Sequence, residues 1–382
     1  MNSIKEIVDF IKTLYPKQQF VPLHAPLFVG NEKKYILDTI DSTFVSSVGK
    51  YVDLFEEMMC KTVGASHAVA IVNGTNALHM ALLMADVTAS DEVISQSLTF
   101  VATCNAISYI GASPVFVDVD MDTLGMSPAS LSAFLEENAV RKADGYSYNA
   151  KSGKRIKACV AMHTFGFPCR IDEIAAVCEK WNIFLIEDAA ESIGSFYKGK
   201  HTGIFGQVGT FSFNGNKTIT CGGGGALVTN DKSIAQKAKH LTTQAKINHP
   251  WAFMHDAVGY NYRMPNVNAA LACAQLEQLS TFVANKRELA SVYHSFFQER
   301  RMHFITEIQG AKANYWLNAL ILENETARDE FLEYANANGV MSRPVWELMH
   351  RLVMFNSAFR TDLTNSEWIS ARLVNIPSSV RL

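Results

Sequence analysis

Lys217 stands between an apolar run, Phe211-Ser212-Phe213, and a glycine-rich stretch, Gly222 to Gly225. Upstream, a second apolar run ends on an acidic pair, Phe184-Leu185-Ile186-Glu187-Asp188. A buried lysine near a carboxylate has two uses. It is a structural ion pair, or it is an amine tuned to form a Schiff base with an aldehyde cofactor. A third piece is Asn73-Gly74-Thr75, which follows the β-branched run 68–72 and precedes the apolar stretch 77–85. A tight turn that opens a helix presents free backbone N–H groups and favours an anion, commonly phosphate. Taken alone, this segment reads first as an ordinary helix capped by Asn73 or Thr75.

Other chemistries fit these residues poorly. A nucleotide phosphate loop needs a glycine directly before its lysine, and Asn216 separates Gly215 from Lys217. No G-x-G-x-x-G opens a helix after the first strand, which disfavours a dinucleotide fold. His163 has no partner at metal-ligand spacing and reads as structural. Ser212 lacks the G-x-S-x-G context of a nucleophile. The seven cysteines are scattered without C-x-x-C spacing, as expected of free thiols in a reducing cytosol.

The elements that must position these residues alternate along the chain. Helical apolar spacing marks 4–14, 31–40 and 52–63, and strand-like runs mark 68–72, 92–94, 115–119, 158–162 and 183–186. Helical stretches at 77–85, 100–110, 128–136 and 172–181 separate the strands. Residues 141–157 are polar and basic and read as a solvated excursion. Strands alternating with helices imply a mostly parallel sheet covered on both faces, with ligands bound beyond the carboxyl ends of its strands. Gly74, Phe100, His163 and Asp188 all fall at or just past such ends. From Asn266 a long helical pattern leads to a second domain near residue 300, with a strand at 315–322, a helix at 327–337 and a polar tail. The division expected is a helix at 1–20, a large cofactor-binding domain at 21–265, a connecting helix at 266–298 and a small α+β domain at 299–382.

The chain has 382 residues, 48% hydrophobic and 19% charged, with a net charge of −3. No basic excess points to nucleic acid, and no apolar run approaches membrane-spanning length. The polar N-terminus gives no signal peptide, so a cytoplasmic protein is expected. What remains is a carboxylate at a strand end, a lysine and serine on a later strand and loop, and an anion turn. Pyridoxal phosphate needs these parts: an amine for its aldehyde, donors for its phosphate, and an anion to keep its ring nitrogen protonated.

In this order the landmarks Asn73-Gly74-Thr75-Asn76, Leu98-Thr99-Phe100, His163-Thr164-Phe165-Gly166, Glu187-Asp188-Ala189-Ala190, Ser212-Phe213 with Lys217, and Gly259-Tyr260-Asn261-Tyr262-Arg263 resemble the DegT/DnrJ/StrS family of sugar aminotransferases. The resemblance runs from about Val21 to the C-terminus. It implies the α/β fold-type-I architecture of aspartate aminotransferase. It also implies Lys217 as the Schiff-base lysine and Asp188 against the pyridine nitrogen. Phe100 would stack on the ring, and Gly74, Thr75, Asn76 and Ser212 would hold the phosphate. Asn261 would reach the phosphate of a neighbouring subunit, hence a homodimer with shared sites. Where many relatives carry glutamine or histidine facing the ring hydroxyl, this chain has Glu191. A carboxylate there repels a phenolate unless it is protonated or turned away.

The resemblance further implies L-glutamate as amino donor and a nucleotide-linked 4-keto-6-deoxy sugar as acceptor. The stretches 242–266 and 342–350 are most similar to enzymes acting on a UDP-linked 2-acetamido-4-keto sugar, with a GDP-perosamine-type enzyme as the nearest rival. Arg263, Arg343 and His350 are candidates for diphosphate or carboxylate contacts, or for surface and interface positions. A non-catalytic regulator that binds the cofactor or a sugar nucleotide is the reading from another class.

Overall fold

The central strands are buried along almost their whole length because both faces of their sheet are covered. In Arg155–Met162, Ala158 and Val160 enter one core while Cys159 and Ala161 enter another, as a period of two requires. Ile186 and Leu185 divide in the same way. The computed structural model describes residues 2–381. Its main sheet has ten strands. Across it the order is His67–Ile71, Gly225–Thr229, Val208–Ser212, Phe184–Asp188, Arg155–Met162, Asp91–Gln96, Ser113–Val117 and Phe359–Arg360. From Val208–Ser212 onward every pairing in that order is parallel, and Gly225–Thr229 runs antiparallel to both its neighbours. Helices Gly74–Met84 and Val101–Tyr109 pack on one face, and Pro128–Asn138 and Ile171–Lys180 on the other. Thr210 pairs with Asp188 and Asp188 with Met162, so three parallel strands end side by side.

The sequence reading departs from this fold in three places. Residues 141–157 are not simply solvated. Ser147–Asn149 pairs with Ala139–Arg141 and docks against Arg155. Asn149 donates to Glu92 at 2.9 Å, and Arg155 grips Asp91 with two bonds of 2.8 and 2.9 Å. Arg141, Lys142 and Lys151, which suggested solvent, do remain exposed. The strand expected at 315–322 begins only at Asn318, because Tyr315 adopts a left-handed φ of 50° that ends extended backbone. The polar tail contains a fully buried strand, Leu373–Ile376, at the centre of the second sheet. That sheet runs His303–Phe304, Asn318–Ile321, Leu373–Ile376, Arg343–Pro344. The N-terminal helix Asn2–Leu14 packs its Ile7, Val8 and Ile11 into the same core as Phe331 and Ile376. Phe359–Arg360 returns to the large sheet, so the C-terminal part is sewn into both units. Among the described residues no helix is long and apolar enough to cross a membrane.

The two units are joined by the 34-residue helix Asn266–Glu299. Lys286, on this helix, is fully buried, and its Nζ donates to the Trp316 carbonyl at 3.2 Å and to the Ser378 carbonyl. A neutral amine carries two N–H groups, enough for both acceptors. Burial pushes Lys286 down from 10.5 to about 7. Between those values the unfolded chain holds a proton that the folded chain has lost, so stability rises with pH across this window. Denaturant midpoints from pH 7 to 10 will therefore show wild type gaining on Lys286→Met as pH rises.

Candidate active site

A cavity of about 400 Å³ opens at the carboxyl ends of the parallel strands. Its floor begins where helix Gly74–Met84 starts. Asn73 caps that helix, its Oδ1 accepting the Asn76 N–H at 2.8 Å, and the first intrahelical bond runs from Ala77 N–H to the Asn73 carbonyl. The N–H groups of Gly74 and Thr75 precede that bond, and both residues line the cavity. Ser212, at the end of its strand, closes in from the side. A Cβ added at Gly74 would lie 2.7 Å from Ser212 Cβ and 3.1 Å from its Oγ, so only glycine allows the approach. The last glycine of the run answers the same need: a Cβ at Gly225 would lie 2.5 Å from the Asn73 carbonyl carbon.

Asp188 ends its strand 2% exposed. Its Oδ2 accepts the Thr103 hydroxyl at 2.8 Å and its Oδ1 the Ala190 N–H at 3.2 Å. Burial pushes its pKa above the ordinary carboxylate value, against these two bonds and the charges of Lys217 and His163. Neither hydrogen-bond partner carries a charge, so the carboxylate is short of a cation. Behind it, His163 Nε2 lies 3.0 Å from Glu187 Oε2, both fully buried, and three further N–H groups (Gly203, Phe205 and Gly206) point at the Glu187 carboxylate. Burial works to strip the imidazole of its proton, but Cys169 and Glu187 hold it up to about 10. His163 does not line the cavity.

Lys217 lies on the loop after Ser212. Its Nζ is 3.1 Å from Glu191 Oε1 and 4.0 Å from the centre of the Trp316 ring. Glu191 Oε2 accepts the Phe165 N–H at 2.8 Å. Phe100, 46% exposed, stands on the rim beside Trp346, with ring centres 5.8 Å apart. The cavity thus gathers Gly74, Thr75, Phe100, Asp188, Glu191, Ser212 and Lys217. Asn76 does not line it, its N–H being engaged by the cap. Asn261 is exposed and paired through its backbone with Thr243, away from the cavity. Arg263 is half-buried, 3.9 Å from Asp53, with its Nε unpartnered among the described residues. Arg343 is exposed and bonded to Asn336. His350 is buried with Nδ1 2.8 Å from the Ser97 hydroxyl and Nε2 3.4 Å from Glu367. Thr103, Trp316 and Trp346 belong to the site without having been singled out from sequence. Trp346 lies inside a stretch noted there only for its neighbours.

These residues fit pyridoxal phosphate. Open helical N–H groups and a serine suit a phosphate, a buried carboxylate lacking a cation suits a protonated ring nitrogen, and a single amine faces both. Fold and site together define a fold-type-I pyridoxal-phosphate-dependent transferase. Residues 28–382 match the DegT/DnrJ/EryC1/StrS aminotransferase family, and the chain belongs to it. It is 38% identical over 361 residues to the GDP-perosamine synthase of Vibrio cholerae, covering 94% of each chain. It is 35% identical over 364 residues to that of Escherichia coli O157:H7, covering 94% of this chain and 93% of the relative. The solved aminotransferase from Psychrobacter cryohalolentis superposes with a TM-score of 0.83 at 26% identity, covering 94% of this chain and 93% of that one. The chain is a sugar aminotransferase, and its cofactor is pyridoxal phosphate.

Gly74→Ala forces Ser212 and the helix start apart. The expected result is a folded protein whose affinity for pyridoxal phosphate falls roughly tenfold, about 1.4 kcal/mol. An absorbance titration of the cofactor-free protein measures it, and unchanged affinity would mean the phosphate lies elsewhere.

Proposed function

We propose that this enzyme moves an amino group from L-glutamate to carbon four of a GDP-linked 4-keto-6-deoxy sugar. The observation that carries the reaction is Lys217 and buried Asp188 lining one cavity with an open helix N-terminus. The acceptor rests on the relatives. Two of the most similar are named GDP-perosamine synthase, which favours that alternative over the UDP-acetamido sugar that the sequence stretches suggest. Membership in an aminotransferase family argues against a non-catalytic regulator.

Gly74, Thr75 and Ser212 would hold the cofactor phosphate, Asp188 its ring nitrogen, and Phe100 its ring face. When bound, the cofactor supplies an electron sink for the bond between hydrogen and the amine-bearing carbon of the substrate. Lys217 Nζ is the amine placed to take that proton and return it to the carbon on the far side of the linking nitrogen, two atoms away. Trp316 and Trp346 wall the cavity and leave the side chain of Lys217 only 12% exposed. Asp188, held by Thr103 and Ala190, stays fixed while charge shifts.

The active assembly proposed is a homodimer in the cytoplasm. Phe28, Phe44 and Val48 are exposed by 51, 56 and 64%, and Trp251 and Phe253 by 82 and 85%, apolar side chains that a second copy would cover. Asn261 is exposed and does not line its own cavity, which suits a contribution to the partner's. GDP-, UDP- and dTDP-linked 4-keto-6-deoxy sugars, each incubated with glutamate while 2-oxoglutarate is followed, test the function. The GDP sugar should give the highest kcat/KM. Preference for the UDP-acetamido sugar would restore the first reading, and no 2-oxoglutarate with any sugar would remove both.

A further inference from the structure

Glu191 is fixed in the cavity wall by three contacts. Its Oε2 accepts the Phe165 N–H, its own carbonyl accepts Asn314 Nδ2 at 2.9 Å, and its Oε1 faces Lys217 Nζ at 3.1 Å. Phe165 aims its N–H from a left-handed φ of 56°, followed by Gly166 at 91°. Backbone of this kind persists only where its surroundings hold it. The side chain of Glu191 is 1% exposed, yet its charged partner is the reactive amine of the site.

Oε1 of Glu191 lies 3.1 Å from Nζ of Lys217, in position to accept an ammonium proton. An ammonium has no lone pair. It can neither attack an aldehyde carbon nor take a proton from carbon. Its proton must leave first, and Oε1 of Glu191 is the acceptor in contact. Resting on the reading of the site given above, the geometry points to Glu191 as a catalytic residue that exchanges one proton with Lys217. It takes the ammonium proton as the amine becomes covalently linked to the cofactor, and it holds that proton while the amine serves as base. The step balances. Lys217–NH3+, Glu191–COO− and an aldehyde become a C=N linkage, Glu191–COOH and one water. Two ammonium hydrogens leave in the water and the third moves to Oε1.

The surroundings suit such an exchange. Burial pushes Glu191 up to about 7, opposed by the charge of Lys217 and the Phe165 N–H and aided by the nearby charge of Asp188. The His163–Glu187 pair lies behind Asp188, one layer further from the cavity. An uncharged Glu191 also removes the repulsion expected between a carboxylate and the cofactor's phenolate.

The test loads cofactor-free protein with pyridoxal phosphate. The infrared difference spectrum of wild type should gain a protonated-carboxyl stretch that Glu191→Gln lacks. Calorimetry in two buffers of different ionisation enthalpy should show the variant releasing about one more proton on loading than wild type. Covalent loading of Lys217 in the variant should slow by roughly 10²-fold, the scale of a lost proton acceptor. No new carboxyl band in wild type, or equal proton counts, overturns the proposal. Borohydride reduction separates the two levels. If Lys217 is not tagged after loading, the cofactor reading itself fails. If it is tagged and no carboxyl band appears, only the role of Glu191 fails.

Discussion

Lys217→Ala is expected to remove transamination almost completely, with kcat/KM falling by roughly 10⁴-fold, the upper end of what a positioned general base supplies. Lys217 is the one cationic side chain lining the cavity among the described residues, so no neighbour can substitute for it. The loss should be of chemistry and not of fold. Lys217 sits on a loop, and its contacts are a single carboxylate and the face of Trp316. Removing it leaves Glu191 buried with the Phe165 N–H as its remaining side-chain partner, and burial then favours the protonated acid, which needs no cation. Thermal unfolding of the variant should therefore stay close to wild type. Borohydride treatment of loaded wild type followed by peptide mapping should tag Lys217, and the variant should carry no tag. A variant that still produced 2-oxoglutarate would show that another group moves the proton. Lys217→Arg sharpens the test: it keeps the charge beside Glu191 but offers a guanidinium that does not deprotonate, and it should be as inactive as alanine.

The parts of the site legible in sequence are those whose signals are local. Gly74 follows a strand and opens a helix within a few residues, Asp188 terminates an apolar run, and Lys217 sits between a strand and a glycine run. The parts that were not legible depend on chain segments meeting from afar. Thr103 holds Asp188 across a sequence separation of 85 residues. Trp316 and Trp346 reach the cavity from beyond the long helix Asn266–Glu299, and nothing in their neighbourhoods distinguishes a cavity wall from a core. Phe359–Arg360 is a strand of two residues, too short to show any periodicity, and its strand character comes from Val115 and Phe116 beside it. Leu373–Ile376 sits behind the polar run 361–367 and holds Asn375 inward, where its amide reaches toward the Asn318 carbonyl at 3.5 Å. His350 is a different case. A histidine draws attention by its chemistry, but here both nitrogens face Ser97 and Glu367, anchoring the turn before Phe100.

Asp188→Asn should separate stability from activity, and in opposite directions. The asparagine keeps the shape, with Oδ1 still accepting the Ala190 N–H and Nδ2 donating to the Thr103 hydroxyl oxygen, but it carries no charge to set against a protonated ring nitrogen. The expected loss is on the order of 10³-fold in kcat, the scale of one preorganised charge removed from a reaction centre. In the cofactor-free protein the sign reverses. Burial raises the pKa of Asp188 in the folded state above its unfolded value. Stability contributed by the protonated acid is full below the unfolded pKa and is lost as pH rises through the folded one, so at pH 7 the native carboxylate is a burden. Cofactor-free Asp188→Asn should then unfold at the same or higher temperature than wild type at pH 7, with the gap closing toward pH 4. Loading with pyridoxal phosphate should invert the order, because only wild type gains a cation for its buried charge. Melting curves of both proteins, with and without cofactor, measure all four states. If the variant were less stable without cofactor, Asp188 would be serving the fold through Thr103 and Ala190. If loading stabilised both proteins equally, its carboxylate would not be facing the ring nitrogen.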